Sequence, residues 1–184
     1  IVDEATNFIL QNNFQIPKSV RAVKKSEQSS ISVGFFASGG EDRKELLNGI
    51  FKEIIQSEGF VVGSEVLVLG RYTLKTYYKL FNVDYGEILR GLERQYPEVK
   101  TNFLSVHRSK GLEADYVIVL DVVSDFLGFP NEITDDPILG LVLSKPEVFP
   151  NSEERRLFYV ALTRAKEKVF LLTETGKVSS FVKE

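Results

Sequence analysis

The sequence contains no cysteine, no tryptophan, no methionine and only one histidine. The lack of cysteine excludes disulfides and thiolate metal ligands, and a lone histidine argues against a histidine-rich zinc site. We therefore predict no metal-binding residues. No apolar run approaches the roughly 20 residues of a membrane span, and the N-terminus has no charged segment leading into an apolar one. These absences favour a cytoplasmic protein without membrane contact.

A strong excess of either charge is also missing. The formal net charge of −3 gives no overall attraction for nucleic acid, although a local basic patch can still bind phosphate. The 184 residues suit one domain with a sizeable core, so we predict a single domain over 1–184. Because the chain opens on isoleucine, we expect this domain to be part of a larger protein.

Short apolar runs alternate with amphipathic helical stripes along the chain. Unbroken apolar strands are typical of parallel sheets buried on both faces, so we predict an α/β fold with a mostly parallel central sheet flanked by helices. The predicted strands are 31–36, 66–69, 103–104, 116–120 and 169–172. The predicted helices are 1–13, 41–59, 73–80, 85–96, 151–166 and 178–182. The segment 16–30 is predicted to be a surface connection, and 121–150 an irregular excursion with a short helix near 138–143.

Functional groups are concentrated between two predicted strands, over residues 105–113. Hydroxyl, imidazole and cationic side chains at the end of a strand can hold a phosphodiester backbone without reading bases. A glycine there allows close backbone approach, and a glutamate can accept hydrogen bonds from a ribose or a water. The residues concerned are Ser105, His107, Arg108, Lys110, Gly111 and Glu113. For His107 alone, an ordinary loop or core histidine remains the alternative.

Two arginines elsewhere suggest an anion site. Arg71 follows a buried strand, and ligands of open α/β sheets gather beyond the carboxyl ends of strands. Arg164 is predicted near the apolar edge of helix 151–166, where it needs either a buried carboxylate or a nucleotide phosphate. In that helix Asn151 is the predicted N-cap, with Glu154 completing a capping box. The remaining charges of 153–156 are also compatible with a solvated face.

These patterns alone predict an α/β domain that binds an anion-rich ligand at one edge of its sheet. No phosphate-binding loop of the form G-x-x-x-x-G-K-[ST] occurs in the chain. The residues by themselves therefore leave the ligand open.

Two sequence blocks resemble a known family. Residues 105–115, S-V-H-R-S-K-G-L-E-A-D, resemble motif V of superfamily 1 DNA helicases of the UvrD/Rep type. Residues 153–165, E-E-R-R-L-F-Y-V-A-L-T-R-A, resemble motif VI of the same family, and the run A-D-Y-V-I-V-L is most similar to the helicase IV branch. The resemblance implies a RecA-like fold of the P-loop NTPase type, acting as the second motor domain of an ATP-dependent helicase that moves 3′ to 5′.

The resemblance also implies roles for individual residues. Arg164 matches the arginine finger on the γ-phosphate, and it joins Gly111, Glu113 and Arg71 in the implied ATP-binding set. The implied DNA-binding residues are Ser105, His107, Arg108 and Lys110. ATP with Mg²⁺ would be held mainly by an N-terminal motor domain, so the chain alone is not expected to hydrolyse ATP. The implied partners are single-stranded DNA, duplex junctions and that N-terminal domain.

The match departs from the family in two places. Ser105 replaces the usual threonine but keeps the hydroxyl. Only about 30 residues separate Arg71 from Ser105, too few for the accessory domain that many relatives insert there. One alternative is a non-catalytic nucleic-acid-binding or regulatory module that retains the fold. The other is an interaction domain in which Arg164 pairs with an internal carboxylate and His107 is not exposed.

Overall fold

The computed structural model describes residues 1–13, 30–125, 127–131 and 149–184. Five strands alternate with six helices and one short 3₁₀ helix over these residues. The strands are β1 (Ile31–Phe36), β2 (Glu65–Gly70), β3 (Lys100–Ser105), β4 (Ala114–Val119) and β5 (Ala165–Glu174). The helices are α1 (Val2–Leu10), α2 (Gly40–Gln56), α3 (Leu74–Phe81), α4 (Tyr85–Gln95), α5 (Ser152–Leu162) and α6 (Ser180–Lys183), with the 3₁₀ helix at Val106–Ser109.

The predicted elements that fall on described residues are present; strand 31–36 has the predicted bounds and the others have shifted ends. The predicted helix near 138–143 lies outside the described residues, as does nearly all of the connection 16–30. None of the helices described is both long and apolar enough to cross a bilayer.

All five strands are parallel, in the order β1-β5-β4-β2-β3. This confirms the predicted α/β fold with its parallel sheet. The central strand β4 is flanked by β5 and β2, and the strand that comes last in the chain lies beside the first. Strand order therefore differs from chain order, and segments distant in sequence meet at the same edge.

Alternate residues of the inner strands enter two separate cores. Val66, Val68, Tyr116, Ile118, Phe170 and Leu172 pack against helices α2, α3 and α4 on one face. Leu67, Leu69, Val117, Val119, Val169 and Leu171 pack against α1, α5 and α6 on the other. The period of two along a strand sends neighbouring side chains to opposite faces, which explains why these strands are apolar throughout.

Helix α5 differs from its prediction at both ends. Asn151 adopts a left-handed conformation and its side chain makes no capping bond, so the predicted capping box is not formed. Glu154 instead binds Arg71 on another element. At the other end the helix stops at Leu162, and strand β5 begins at Ala165. Arg164 thus lies in the turn between them rather than on the helix.

The charged run 153–156 is not a uniformly solvated face. Arg155 is 4% exposed, and its guanidinium lies 4.5 Å from the ring centroid of Phe8. The same guanidinium donates to the Phe8 carbonyl and to the Glu184 carboxylate. Arg155 therefore fixes α5 to α1 and to the end of the chain.

A buried ion pair joins the carboxyl end of β4 to two helices. Asp121 accepts a hydrogen bond from Arg43 Nε at 2.9 Å and another from the Tyr85 hydroxyl at 2.7 Å. Arg43 also donates to the Gly39 carbonyl at 2.8 Å and lies over the ring of Phe36. The side chains of Arg43 and Asp121 are 8% and 7% exposed.

Candidate functional site

The predicted site residues lie at two opposite edges of the sheet. Gly70 pairs in register with Ser105, so Arg71 and His107 follow neighbouring strands at the carboxyl edge. Ala114 pairs with Ala165 at the beginning of β4 and β5, so the residues just before them lie at the amino edge. Segment 106–113 connects one edge to the other. The residue patterns alone predicted an anion-rich ligand at one edge of the sheet, whereas the candidate side chains lie at both edges, because a segment that joins two parallel strands must run from the carboxyl edge to the amino edge.

Arg71 forms a bidentate ion pair with Glu154 at the carboxyl edge. Its Nε and Nη2 donate to Glu154 Oε2 and Oε1 at 3.1 and 2.7 Å. The two side chains are 18% and 13% exposed, so the pair is largely but not completely withdrawn from water. Glu154 also accepts the backbone N–H of Asn131 at 3.1 Å. Arg71 therefore connects the end of β2 to the first turn of α5.

His107 is exposed beside this ion pair. Partial burial of the ring, followed by the positive charges of Arg71 and Lys110, lowers the pKa of His107, while Glu154 and Glu153 oppose the shift. The lowered pKa favours the neutral imidazole at pH 7. Its contact with an anion at this pH would be a hydrogen bond rather than an ion pair.

The other three predicted DNA-binding residues are Ser105, directly before segment 106–113, and Arg108 and Lys110 within it. Ser105 ends β3 and is half-buried, while Arg108 and Lys110 are exposed. The short 3₁₀ helix that carries Arg108 is held by the Ser109 hydroxyl, which donates to the Val106 carbonyl at 2.7 Å. The polar and basic side chains therefore extend from a short helix that is fixed to the core by the fully buried Val106.

Arg164 lies at the amino edge with neutral partners. Its Nε donates to the Val160 carbonyl at 3.0 Å, and its Nη1 donates to the Leu112 carbonyl at 2.9 Å. Its Nη2 lies 3.3 Å from the Thr163 hydroxyl. Within the described segments no carboxylate forms an ion pair with it, although the residue is only partly exposed. The structure thus gives no support to the alternative in which Arg164 pairs with an internal carboxylate and His107 is hidden.

Gly111 and Glu113 flank the carbonyl that Arg164 binds. Gly111 has φ +83°, and a Cβ added there would meet no atom within 4 Å. Glu113 is exposed, and the backbone N–H of Ala114 donates to the Arg164 carbonyl at 2.9 Å. Three of the four residues in the implied ATP-binding set therefore come together at the amino edge, and Arg71 stands apart at the carboxyl edge.

Sequence reasoning missed two features of these edges. Glu154 was interpreted as a capping residue, and nothing local indicated its pairing with Arg71. Asp121 was not singled out, although an acidic residue directly after the apolar run 116–120 is a signal for a functional or structural role at a strand end.

Comparison with known proteins identifies the family. The model of the UvrD-like helicase C-terminal domain matches residues 85–175, from α4 to the end of β5. Residues 85–175 therefore carry the sequence pattern of this family. The match includes both edges described above, except for Arg71.

Relatives of this UvrD-like domain are much longer proteins. DNA helicase IV of Escherichia coli K12 is 28% identical over 183 residues, covering 99% of this chain and 24% of that protein. An ATP-dependent helicase/nuclease protein of Lachnoclostridium phytofermentans is 31% identical over 159 residues, covering 73% of this chain and 11% of that protein. The chain thus spans about a quarter or less of these two relatives.

A solved structure shares the fold. The crystal structure of the C-terminal domain of a possible DNA helicase from Lactobacillus plantarum WCFS1 superposes with a TM-score of 0.52 and 15% identity. The alignment covers 98% of this chain and 88% of that one. At this identity the likeness concerns the fold alone.

Proposed function

We propose that this UvrD-like domain is the C-terminal motor domain of an ATP-dependent DNA helicase that moves 3′ to 5′. In this proposal the amino edge binds a nucleotide held mainly by an N-terminal motor domain. The carboxyl edge binds single-stranded DNA, including the single strand at duplex junctions. Segment 106–113 runs from one edge to the other, so each ligand contacts one of its ends.

The observation that carries the proposal is the uncompensated charge of Arg164. A partly buried guanidinium normally binds an anion, yet the acceptors around Arg164 are two carbonyls and a hydroxyl. A γ-phosphate arriving from a second domain would supply the missing negative charge. Arg164 would then stabilise charge in the transition state, as arginine fingers do.

The surroundings of Arg164 are suited to a nucleotide. The open backbone at Gly111 permits close approach, and the exposed Glu113 carboxylate can accept hydrogen bonds from ribose hydroxyls. The described residues include no group of three acidic, histidine or cysteine side chains placed to hold a metal ion. We accordingly assign Mg²⁺ to the nucleotide phosphates and the N-terminal domain, and we expect this domain alone to be inactive as an ATPase.

The DNA-binding part of the proposal is supported by the carboxyl edge. Ser105, His107, Arg108 and Lys110 present hydroxyl, imidazole and cationic groups, and such groups hold a phosphodiester backbone without selecting sequence. A motor that steps along DNA requires contacts of this kind.

The experiment is DNA-stimulated ATP hydrolysis by the full-length protein, comparing wild type with Arg164→Ala and Arg164→Lys. We expect both variants to lose about 10³-fold or more in kcat, with ATP affinity largely retained, because the contact forms mainly in the transition state. Arg94→Ala is the matched control, since Arg94 is an exposed arginine in the last turn of α4, against the opposite face of the sheet. Unchanged hydrolysis in Arg164→Ala would remove the finger assignment. Absence of hydrolysis in the wild type would favour a non-catalytic nucleic-acid-binding or regulatory module.

A further inference from the structure

The Arg71–Glu154 ion pair connects the carboxyl edge to the helix that supports Arg164. Glu154 lies in the first turn of α5, and the Val160 carbonyl in its last turn accepts the hydrogen bond from Arg164 Nε. An 11-residue α-helix is about 16 Å long. The ion pair and the Arg164 guanidinium therefore lie near opposite ends of one rigid element.

The surroundings of Arg71 are compatible with an exchange of its anion. Its guanidinium remains 18% exposed, and the fork of N–H groups that fits the Glu154 carboxylate fits a phosphate equally well. Glu154 retains a second donor, the backbone N–H of Asn131, when Arg71 leaves. Neither group would be left without a partner by the exchange.

The position of His107 relates this exchange to the proposed DNA site. Gly70 pairs in register with Ser105, so Arg71 and His107 lie just beyond the ends of neighbouring strands. The positive charge of Arg71 also contributes, after burial, to lowering the pKa of His107. A phosphate bound at His107 would therefore be within the influence of Arg71. Arg71 lies at the carboxyl edge, whereas Gly111, Glu113 and Arg164 lie at the amino edge.

We propose that Arg71 is a DNA-phosphate ligand that Glu154 holds in the absence of DNA, and that a phosphate of the bound strand displaces Glu154 from it. The inference rests on the proposed function and extends it. Release of Glu154 frees the first turn of α5 from β2, so occupancy of the carboxyl edge is communicated to the helix that positions Arg164. Glu154 acts in this scheme as a positioning residue.

The test measures binding of a fluorescent oligothymidylate to the full-length protein without nucleotide, over a series of salt concentrations. Arg71→Gln should weaken binding about 5- to 10-fold and reduce the salt slope by about 0.7, the value for one phosphate contact on a single strand. Glu154→Gln should instead tighten binding about 3- to 5-fold, since it removes the competing ion pair. In the same variant the ratio of DNA-stimulated to DNA-free ATP hydrolysis should fall.

Two matched controls separate this exchange from simple changes of charge. Glu153→Gln removes the same charge one residue earlier, where Glu153 is exposed and pairs with Arg156, and it should leave DNA affinity within about twofold, as expected for an exposed ion pair. Arg94→Gln removes an exposed arginine from α4. Arg71→Lys retains the charge without the fork, so it should bind DNA with intermediate affinity. This variant replaces Arg71→Gln in the test if Arg71→Gln proves unstable.

Opposite changes of affinity in Arg71→Gln and Glu154→Gln would establish the exchange. Weaker binding in both would mean that the pair is only structural and would overturn it. An increased KM for ATP in Arg71→Gln with unchanged DNA affinity would identify the nucleotide as the source of the phosphate, and would also overturn it. A wild-type protein that binds no single-stranded DNA would instead refute the DNA-binding part of the proposed function.

Discussion

The buried pair of Arg43 and Asp121 gives a quantitative prediction about stability. Replacing Asp121 by asparagine keeps the size of the side chain and suits the left-handed backbone, since Asp121 has φ +49° and asparagine tolerates that region. The substitution removes the negative charge and leaves the Arg43 guanidinium, 8% exposed, without its carboxylate. The effect can therefore be assigned to the lost carboxylate, which pairs with Arg43 and also accepts the Tyr85 hydroxyl, and not to packing.

The contacts on each side determine the expected size of the loss. Breaking a buried ion pair by removing one partner costs about 3–5 kcal/mol. Arg43 retains the Gly39 carbonyl and the face of Phe36, and Glu174 lies 4.0 Å away, so we expect the lower end of that range, about 3 kcal/mol. For a domain of this size the loss corresponds to a decrease of about 6–12 °C in Tm.

Urea unfolding followed by circular dichroism measures this loss directly. Glu174→Gln is the control, because its 4.0 Å contact with Arg43 is long, and it should cost less than about 1 kcal/mol. Adding Arg43→Met to Asp121→Asn should recover part of the stability, since the double variant has no unpaired buried charge. A loss below about 1 kcal/mol in Asp121→Asn, or strict additivity in the double variant, would show that the pair does not stabilise the fold as argued.

Two predictions concern pH. Burial, and then the charge of Asp121, raise the pKa of Tyr85 well above its ordinary value of 10. As the pH rises above 10, the Tyr85 hydroxyl therefore ionises first in the unfolded state, and the free energy of unfolding should fall. Tyr85→Phe should flatten that decline by up to about 1.4 kcal/mol per pH unit in urea unfolding, and an equal decline in the variant would contradict this reasoning. Because the pKa of His107 is lowered, its charge appears only below its ordinary value of 6.5, and single-stranded DNA should bind more tightly as the pH falls from 7 to 5. His107→Asn should show a smaller pH effect in fluorescence anisotropy, and an identical profile would mean that His107 does not contact DNA.

The sequence predicted the elements well because each element depends on local patterning. The apolar run at 116–120 and the stripe along α2 are determined by burial against neighbouring layers, and both are visible without knowing the fold. The order of the strands, with β4 between β5 and β2, was not predictable in this way, because no local pattern encodes it. The division of the site into two edges follows from the parallel pairing itself, because the segment between β3 and β4 must run from the carboxyl edge to the amino edge.

The errors at α5 have the same origin. A glutamate three residues after Asn151 satisfies the local rule for a capping box, but Arg71, 83 positions earlier in the chain, offers a stronger partner. The burial of Arg155 likewise depends on α1 and on Glu184, both distant in sequence. Long-range ion pairs thus prevailed over local preferences in both cases.

The position of β5 in the sheet also constrains when the fold can be completed during synthesis. In the described sheet β1 pairs with β5 alone, although about 130 residues separate the two strands in sequence. At about 5–20 residues per second, β1 would wait several seconds or more for its partner. A chain interrupted before Ala165 would leave both β1 and one side of β4 unpaired, and exposed strand edges of this kind promote aggregation. The residues from Ala165 onward therefore decide whether the newly made domain completes its sheet or becomes a substrate for chaperones.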